Sequence, residues 1–441
     1  MSELLEGPPP KTSLETRCER LEAGALATIV YTSGSTGLPK GVEITHAQML
    51  HQVESSSSRF PLDADRDVAL SCLPPAHIFE RMTLYYYMSR SVSLHFSDDI
   101  RKTRQYLAEL RPTVITLVPR VLEKVYLRMK SSLAAGSLPK RVLGRLALDH
   151  ARRDEEHSAL RSLWHGVLDR LVYGRLRGAL GGRLRMVIIG GAALSKELNV
   201  FFLSVGIPVY QGYGMTECSP VIAANYPGCN RPGSVGKAFP GVSIRIGANL
   251  EVLVKGPGVM RGYHLDPEAT AAAIDPEGWL HTGDMGWLSE EGFLTLSGRL
   301  KDLQKTANGK YVCPGFIEGK LRESPLILDA LVLAENRRFV SCLLFADFEA
   351  LPPLKERLNQ GQTPDDDFLQ SSALQGLIQE HIDRVNQKLN SWERIREFRL
   401  LPEVPSAATG ELTPTMKLKR SVVVEKYRQV IDSIYQEEQT T

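Results

Sequence analysis

The sequence predicts an α/β fold, with a large multi-layer α/β N-terminal domain that contains a β-rich subdomain, followed by a small α+β C-terminal domain. Three observations support this prediction. Apolar runs of strand length alternate with helical patterns, and glycine-rich turns follow several of these runs. The chain has 441 residues, of which 43% are hydrophobic, so it is too long for a single core. In folds of this class, ligands bind at the carboxyl ends of the strands.

The first half of the chain contains four apolar runs that we predict to be strands. They are residues 26–31, 68–73, 113–118 and 185–189. Glycine-rich sequences follow the first and the last of these runs. Residues 120–180 are rich in Leu and Arg at helical spacing, and Ser195 suits the N-cap of a further helix.

The character of the sequence changes after residue 233. Residues 233–298 combine short strands with many glycines, which predicts the β-rich subdomain. A boundary near Arg299 then divides the chain into a domain of residues 1–300 and a domain of residues 301–441. Within the second domain, residues 329–348 are predicted to be strand-like, residues 351–367 to be a polar insertion that contains proline, and residues 368–389 to be helical.

The composition argues against several classes of protein. A formal net charge of +2, from 53 basic and 51 acidic residues, gives no reason to expect a nucleic-acid partner. The six cysteines are scattered without a Cys-x-x-Cys pair, so neither a disulfide scaffold nor a zinc site is expected. No apolar run reaches the ~20 residues that a membrane span needs, so we expect a soluble, cytoplasmic protein.

The positive charge is concentrated in one region. Residues 101–187 contain 19 Lys and Arg residues but only seven Asp and Glu residues. One interpretation is a basic surface that makes peripheral contact with an anionic bilayer. The other, which is the commoner arrangement, is a solvated helical face that packs on the core.

The loop that follows the first predicted strand has the composition of a phosphate-binding site. Its glycines let backbone N–H groups approach an anion, and Lys40 adds a positive charge for triphosphate oxygens. The spacing departs from that of a Walker loop, and a flexible Gly/Ser loop is the alternative interpretation. The side chains that we expect to contact phosphate are Thr32, Ser33, Ser35, Thr36 and Lys40.

Four further motifs follow this loop in order, at residues 211–217, 282–284, 298–302 and 414–417. Together with the loop, they resemble the signatures of the adenylate-forming superfamily, which comprises acyl-CoA synthetases, luciferases and the adenylation domains of peptide synthetases. Five ordered signatures in one chain make coincidence implausible.

The resemblance implies a role for each matching residue. Tyr213 supplies an aromatic face for the base, Thr216 donates to the α-phosphate, and Glu217 is an oxygen ligand suited to Mg²⁺. Without the resemblance, an isolated Asp or Arg in such turns would more often be a cap or a surface charge. The remaining residues that the resemblance assigns to nucleotide binding are Gly191, Ala192, Gln211 and Gly212 near the base, and Asp284 and Arg299 near the ribose.

Three segments resemble the long-chain fatty acyl branch of the superfamily. Residues 73–81 look like the segment that lines the approach of the acyl group and the thiol, and in that segment His77 would face the reacting carboxyl. A lone histidine is more often a structural residue. The ending Pro-Thr-Met-Lys at residues 414–417, which replaces the commoner Ser-Gly-Lys, and residues 112–125 also resemble this branch.

The resemblance therefore implies a long-chain fatty acid–CoA ligase that uses ATP, Mg²⁺ and coenzyme A. The fatty acid is first converted to an acyl-adenylate, and the CoA thiol then displaces AMP. Lys417 would be the principal catalytic residue, with His77 and Thr216 beside it. The resemblance further implies that residues 301–441 swing about a hinge at Lys301 between the two half-reactions. Residues 307–310 are either part of the thiol tunnel or a plain surface turn.

The chain departs from the superfamily at its start. Only 30 residues precede the phosphate loop, where the family has a domain-sized portion, so we expect an N-terminally shortened domain, a missing partner segment and an unpaired strand edge near Thr28. Two alternatives to the ligase stay open. One is a fatty acyl-AMP ligase or carrier-protein loader, and the other is a truncated, non-catalytic nucleotide-binding homologue.

Overall fold

The fold is described from a computed structural model. It covers residues 13–32, 39–99, 102–134, 138–151, 159–348, 350–406, 409–412 and 418–436. The strands are β1 (Leu26–Thr32), β2 (Lys40–Thr45), β3 (Val68–Ser71), β4 (Ser93–Phe96), β5 (Val114–Leu117), β6 (Met186–Ile189), β7 (Val209–Gly214), β8 (Val221–Ala224), β9 (Lys237–Ala238), β10 (Ser243–Ile246), β11 (Glu251–Lys255), β12 (Gly262–Tyr263), β13 (Leu280–Leu288), β14 (Leu294–Arg299), β15 (Gln304–Lys305), β16 (Tyr311–Val312), β17 (Ile327–Leu333), β18 (Val340–Ala346) and β19 (Ile395–Leu401).

The helices alternate with these strands in the first half of the chain and follow or flank them in the second. They are α1 (Leu14–Glu19), α2 (His46–Arg59), α3 (Ile78–Ser89), α4 (Thr103–Leu110), α5 (Pro119–Ala134), α6 (Leu138–Ala151), α7 (Ala159–Leu168), α8 (Gly174–Gly178), α9 (Lys196–Ser204), α10 (Pro267–Ala273), α11 (Pro314–Leu321), α12 (Leu351–Arg357), α13 (Asp365–Leu369), α14 (Ser372–Asn386), α15 (Arg420–Lys426) and α16 (Arg428–Gln436).

A seven-stranded sheet forms the centre of the first part of the chain. Its order is β4-β3-β5-β6-β7-β8-β9, and the strands from β4 to β7 in that order are parallel. Strands β3, β5 and β6 coincide with predicted apolar runs, which confirms those predictions. Their carboxyl ends lie at one edge of the sheet, where ligands bind in such folds. Ser195 also caps α9 as predicted, since its Oγ accepts a hydrogen bond of 3.2 Å from the backbone N–H of Leu198.

A three-stranded antiparallel sheet, in the order β1-β2-β12, places the predicted phosphate loop between β1 and β2. Among the described residues, β1 pairs with β2 alone and is therefore an edge strand, as the sequence predicted for the region near Thr28. The side chain of Tyr31 on this strand is 65% exposed. Strand β2, which follows the loop, pairs with β12, a strand more than 200 residues later.

The predicted β-rich region is a four-stranded antiparallel sheet. Its order is β10-β11-β13-β14, with α10 inserted before β13. Buried residues of this sheet, such as Val252, Leu280 and Leu294, share one hydrophobic core with the central sheet. The β-rich part therefore packs as an integral portion of the first 300 residues and positions the 282–284 motif beside β7.

The last part of the chain has its own cores around the sheet β17-β18-β19. Residues 329–348 form most of two antiparallel strands, and residues 372–386 form α14, as the sequence predicted. The prediction of a polar insertion that contains proline at residues 351–367 missed its helices, because all of α12 and part of α13 lie there. Pro352 and Pro353 fall in the first turn of α12, where the missing N–H is not needed, and Leu351 and Leu354 are buried.

Two ion pairs connect the last part of the chain to the first. Nη1 of Arg120, at the start of α5, lies 3.0 Å from Oδ2 of Asp329 in β17. Nζ of Lys320 in α11 lies 3.3 Å from a carboxylate oxygen of Glu197 in α9. Within the described residues, no helix has the length and apolar character required to cross a bilayer.

Candidate active site

A single cleft of about 2110 Å³ lies at the carboxyl ends of the parallel strands and extends to the last part of the chain. Residues that follow β3, β5, β6 and β7 line it, and so do residues 300–302, Leu418 and Arg420 from the last part of the chain. Residues of four sequence motifs, from Thr32 to Asp302, thus line one space, and residues that follow the fifth motif line it as well.

Two of the five predicted phosphate-binding residues, Thr32 and Lys40, line this cleft. Thr32 ends β1 and Lys40 begins β2, and both line the cleft. Oγ1 of Thr32 donates a long hydrogen bond of 3.5 Å to the carbonyl oxygen of Lys40. The other predicted phosphate contacts, Ser33, Ser35 and Thr36, lie outside the described residues.

Glu217 and its neighbour Thr216 lie in a one-turn 3₁₀ helix that follows β7, and both line the cleft. Oε1 of Glu217 accepts a hydrogen bond of 2.9 Å from the hydroxyl of Tyr263 in β12. Burial and the neighbouring Glu217 carboxylate raise the pKa of Tyr263, so this hydroxyl stays protonated and remains a donor. The Nζ of Lys40 lies 4.9 Å from the centroid of the Tyr263 ring, within the range of a cation–π contact.

Sequence reasoning missed Tyr263, which connects the phosphate loop to the predicted metal ligand. The residue lies in a two-residue strand, 46 positions from Glu217, so no local pattern marks it. Its neighbour Gly262 is part of the same strand, which pairs with β2. Only the pairing of β12 with β2 brings the ring beneath Lys40.

Hydrogen bonds from a side chain of α2 support the backbone of the turn that carries Thr216 and Glu217. Nε2 of Gln52, which is fully buried, donates to the carbonyl oxygens of Cys218 (3.0 Å) and Val221 (3.1 Å). The backbone N–H of Met260 donates to the carbonyl oxygen of Glu217 at 2.8 Å. These bonds fix the backbone of the turn, so the two side chains reach the cleft from a rigid support.

Tyr213, Asp284 and Arg299 form a chain of contacts at the end of β7. The hydroxyl of Tyr213 donates to Oδ2 of Asp284 at 2.7 Å, and Nε of Arg299 lies 2.8 Å from Oδ1 of the same carboxylate. Burial, together with this carboxylate, raises the pKa of Tyr213 well above its usual value. Tyr213 and Arg299 line the cleft, whereas Asp284 is 5% exposed and is not part of the lining.

The resemblance implied that Asp284 lies near the ribose and accepts hydrogen bonds from its hydroxyl groups. Each of its two oxygens already accepts a hydrogen bond or contacts a guanidinium group. A carboxylate can accept about four hydrogen bonds, so a ribose contact stays a prediction. In this structure, Asp284 orients Tyr213 and Arg299, which both line the cleft.

The turn after β6 and the middle of β7 form the wall predicted to hold the base. Gly191 has a φ of +80°, a conformation that favours glycine, and both Gly191 and Ala192 line the cleft. Gly212 lines it as well. Gln211 does not, because its side chain is only 4% exposed, and its carbonyl oxygen accepts a hydrogen bond of 2.9 Å from the backbone N–H of Asn225.

His77 lies at the N-cap position of α3, where it is exposed and lines the cleft. Phe79, two residues later, packs on Gly190, since a Cβ added to that glycine would lie 3.0 Å from the ring. The first turn of α3 therefore contacts the predicted base wall directly, through a residue two positions after His77.

Lys301 lies in a one-turn 3₁₀ helix, Leu300–Asp302, that separates β14 from β15, and its exposed side chain lines the cleft. Lys417 lies outside the described residues. Its neighbours Leu418 and Arg420 line the cleft that Thr216 lines. Nη1 of Arg420 donates to the carbonyl oxygen of Val332 at 2.6 Å, and its other terminal nitrogen forms an ion pair with Glu318.

Apolar side chains of α5 and of the segments that follow it also line the cleft, and we call the part that they line the apolar branch. Val125 and Met129 belong to α5 and Leu143 to α6. Leu171 lies just before α8, and Leu176 lies within it. Leu171 is also 45% exposed, so the branch reaches the surface of the protein.

The donor set fits a magnesium ion that binds together with a nucleotide. No group of three His, Cys, Asp or Glu residues with metal-binding geometry occurs in the described part of the chain. Glu217, the predicted ligand of Mg²⁺, contributes one carboxylate to the lining of the cleft. Mg²⁺ is commonly held by one or two carboxylates, substrate phosphates and water, rather than by a complete protein cage.

Comparisons with known proteins agree with this arrangement. The family described as AMP-binding enzyme matches residues 2–264, and the family described as AMP-binding enzyme C-terminal domain matches residues 301–439. The long-chain-fatty-acid–CoA ligase FadD15 of Mycobacterium bovis is 36% identical over 431 residues, which cover 96% of this chain and 72% of that protein. Long-chain-fatty-acid–CoA ligase 1 of Cavia porcellus is 32% identical, over 94% of this chain and 61% of that protein.

Solved structures share the fold at lower identity. The adenylation domain of a carboxylate reductase from Mycobacterium chelonae has a TM-score of 0.71 and 24% identity, covering 94% of this chain and 60% of that one. O-succinylbenzoate coenzyme A synthetase from Bacillus subtilis, in complex with ATP and magnesium ion, has a TM-score of 0.65 and 22% identity, covering 95% of this chain and 74% of that one.

Proposed function

Because this chain belongs to the AMP-binding enzyme family, we propose that it is a long-chain fatty acid–CoA ligase that forms AMP. It uses ATP to convert a fatty acid to an acyl-adenylate and then transfers the acyl group to coenzyme A. The observation that carries the proposal is the continuity of one cleft. The residues predicted to bind the nucleotide line the same cleft as the apolar side chains of the apolar branch.

The size of the cleft supports two substrates rather than one. Its volume of about 2110 Å³ exceeds the ~300–1,000 Å³ typical of a site for one small molecule. A nucleotide fits the polar wall of Tyr213, Thr216 and Arg299. A long alkyl chain fits the apolar branch, where burial contributes about 0.8 kcal/mol for each CH₂ group.

In the first half-reaction, a carboxylate oxygen of the fatty acid attacks the α-phosphorus of ATP, and pyrophosphate leaves. Thr32 and Lys40 are proposed to bind the outgoing phosphates, and Thr216 to donate to the α-phosphate. Lys417 is proposed to neutralise the charge that develops in the transition state. Glu217 would hold Mg²⁺, which supplies further positive charge at the phosphate oxygens when it is bound.

In the second half-reaction, the sulfur of coenzyme A attacks the carbonyl carbon of the acyl-adenylate. The thiol loses its proton, the bond from the carbonyl carbon to the AMP oxygen breaks, and AMP leaves. We propose that residues 301–441 rotate about Lys301 between the two half-reactions. The turn between β15 and β16, at residues 307–310, is exposed and is the proposed thiol-tunnel face after rotation.

The decisive experiment is a screen for pyrophosphate release with fatty acids of graded chain length, run on folded protein with ATP and Mg²⁺. We expect release that increases for long chains, and AMP release that depends on coenzyme A. AMP-ester accumulation without dependence on coenzyme A would support an acyl-AMP ligase instead. A folded protein that binds ATP without any pyrophosphate exchange would contradict the proposal.

We also propose peripheral contact with an anionic bilayer through the helices around the apolar branch. Five apolar side chains there are exposed by 43–58%, namely Val142, Leu146, Trp164, Val167 and Leu171. They belong to the basic region of residues 101–187, and Leu171 lies where the branch opens, so an acyl chain could enter from the membrane.

Vesicle sedimentation tests this contact. We expect binding to vesicles that contain an anionic phospholipid and little binding to neutral vesicles. Trp164→Glu should weaken the binding, whereas Trp392→Glu, which changes a tryptophan of similar exposure in the last part of the chain, should not. Equal loss in both variants, or no binding by the unchanged protein, would contradict the proposal.

A further inference from the structure

A buried carboxyl group lines the cleft three residues after His77. Glu80 is in the first turn of α3 and has no exposed surface. Buried carboxylates are usually paired with a cation, because removing an unpaired charge from water is costly. No described Lys or Arg forms an ion pair with Glu80, and burial raises the pKa of this side chain.

Two hydroxyl groups bind this carboxyl group instead. Oγ1 of Thr116 donates to Oε2 of Glu80 at 2.9 Å, and Oγ of Ser71 donates to Oε1. Ser71 is the last residue of β3 and Thr116 lies in the second half of β5, and these two strands are neighbours in the central sheet. One side chain therefore ties the carboxyl ends of two strands to the first turn of α3.

The hydrogen bonds of Glu80 lie next to residues that line the cleft. The first turn of α3 also contains Phe79, which packs on Gly190 at the end of β6. His77 immediately precedes this turn and lines the cleft. A movement of the turn by a few tenths of an ångström would therefore shift His77 and Phe79 relative to the predicted base wall.

The other end of the same two strands provides a natural comparison. There, Oδ1 of Asp67 accepts a hydrogen bond of 2.7 Å from Oγ1 of Thr113, and Arg185 forms an ion pair with the Asp67 carboxylate. Asp67 is 2% exposed, joins β3 to β5 as Glu80 does, and does not line the cleft. Asp67, which does not line the cleft, is thus paired with a cation, whereas Glu80, which lines it, is bound by hydroxyl groups.

From these contacts we propose that Glu80 is a positioning residue. It holds the first turn of α3 so that His77 and Phe79 orient the carboxyl end of the acyl substrate against the nucleotide. The inference rests on the proposed function for its substrate, but its structural part can be measured without any substrate.

The kinetic test compares Glu80→Ala, Glu80→Gln and Asp67→Asn in pyrophosphate exchange. We expect Glu80→Ala to raise the KM for the fatty acid ~10-fold or more while the KM for ATP stays within about twofold, because misplacement of a positioned group is costly. Glu80→Gln should recover part of this loss, since its amide oxygen still accepts a hydroxyl hydrogen bond. Asp67→Asn should lower the Tm and leave both KM values unchanged.

Amide hydrogen exchange measures the same positioning without turnover. In folded Glu80→Ala protein, the amides of residues 73–80 should exchange ~10-fold faster than in the unchanged protein, as expected for local opening. In Asp67→Asn protein they should not. If no fatty acid supports pyrophosphate release, the proposed function fails, but the exchange rates still decide the role of Glu80. The proposed role of Glu80 would be overturned by equal amide exchange rates in the Glu80→Ala and Asp67→Asn variants. It would also be overturned if Glu80→Ala left the KM for the fatty acid unchanged.

Discussion

Arg120 and Asp329 form a salt bridge of 3.0 Å between the first and the last part of the chain, although 209 positions separate them. Asp329 is only 4% exposed and also lies 3.2 Å from Arg322 of its own region. The bridge holds the last part of the chain in an orientation that places Leu418, the neighbour of Lys417, at the cleft. Because the proposed adenylation uses this arrangement, the bridge would stabilise it, and the bridge would break in the proposed rotation of residues 301–441.

Asp329→Asn should slow pyrophosphate exchange more than the transfer of a supplied acyl-adenylate to coenzyme A. A hydrogen bond between charged groups contributes about 1.5–3 kcal/mol, and ~1.4 kcal/mol corresponds to a factor of ~10 in rate. We therefore expect roughly tenfold slower exchange. Asp365→Asn, which removes an ion pair with Lys355 away from this interface, is the control and should leave the ratio of the two rates unchanged.

Lys417→Ala should lower the rate of acyl-adenylate formation by ~10²–10³, the loss typical of removing one preorganised group that stabilises transition-state charge. Transfer of a supplied acyl-adenylate to coenzyme A should be nearly unaffected. Lys419→Ala, which removes an exposed positive charge two residues away, should change neither rate. Similar losses in both variants would indicate that general positive charge, rather than Lys417, matters.

Tyr263→Phe should raise the Mg²⁺ concentration needed for half-maximal pyrophosphate exchange by about 3–10-fold. The phenyl ring keeps its contact with Lys40, but Glu217 loses the hydrogen bond of 2.9 Å that orients it, and such supporting bonds commonly affect metal affinity ~10-fold or more. A Mg²⁺ titration of the exchange rate measures the effect. Tyr435→Phe removes a hydroxyl that is 2.7 Å from Ser341, remote from the site, and should leave the titration unchanged.

Asp284→Asn should weaken ATP binding about tenfold, because Arg299 loses its ionic partner and the hydroxyl of Tyr213 loses a charged acceptor. The KM for the fatty acid should change by less than about twofold. Glu291→Gln alters an exposed ion pair with Arg231 and should have no effect, since such pairs contribute about 0–1 kcal/mol. Equilibrium titration with ATP gives the dissociation constants directly.

The ion pair of Asp67 with Arg185 predicts a pH dependence of stability. Although burial opposes it, the hydrogen bond from Arg185 lowers the pKa of Asp67 below 3.8 in the folded protein. The stabilisation is therefore complete above the unfolded pKa and is lost as the pH falls through the lower folded pKa. The Tm difference between the unchanged protein and Asp67→Asn should stay constant from about pH 5 to pH 8 and shrink below about pH 4. A difference that grows on acidification would contradict this assignment.

Much of the fold was predictable from the sequence, because the signals that define strands and caps are local. The apolar runs before the phosphate loop and before Gly190 are strands, and Ser195 caps its helix as predicted. The insertion at residues 351–367 was misjudged, because two prolines in a first helical turn resemble a loop when the burial of Leu351 and Leu354 is not known. The ordered motifs also predicted which segments surround the cleft.

The contacts within the site were decided by tertiary structure. The sequence by itself determined which strands end in polar motifs. The alternation of apolar and polar residues along a strand and the residue preferences of turns depend only on residues that are close in the sequence. It did not determine that Tyr263 would bind Glu217, 46 positions away, or that Glu80 would bind Thr116, 36 positions away. Such pairs depend on which strands become neighbours and on sub-ångström packing between them, so they exist only once the sheets have assembled.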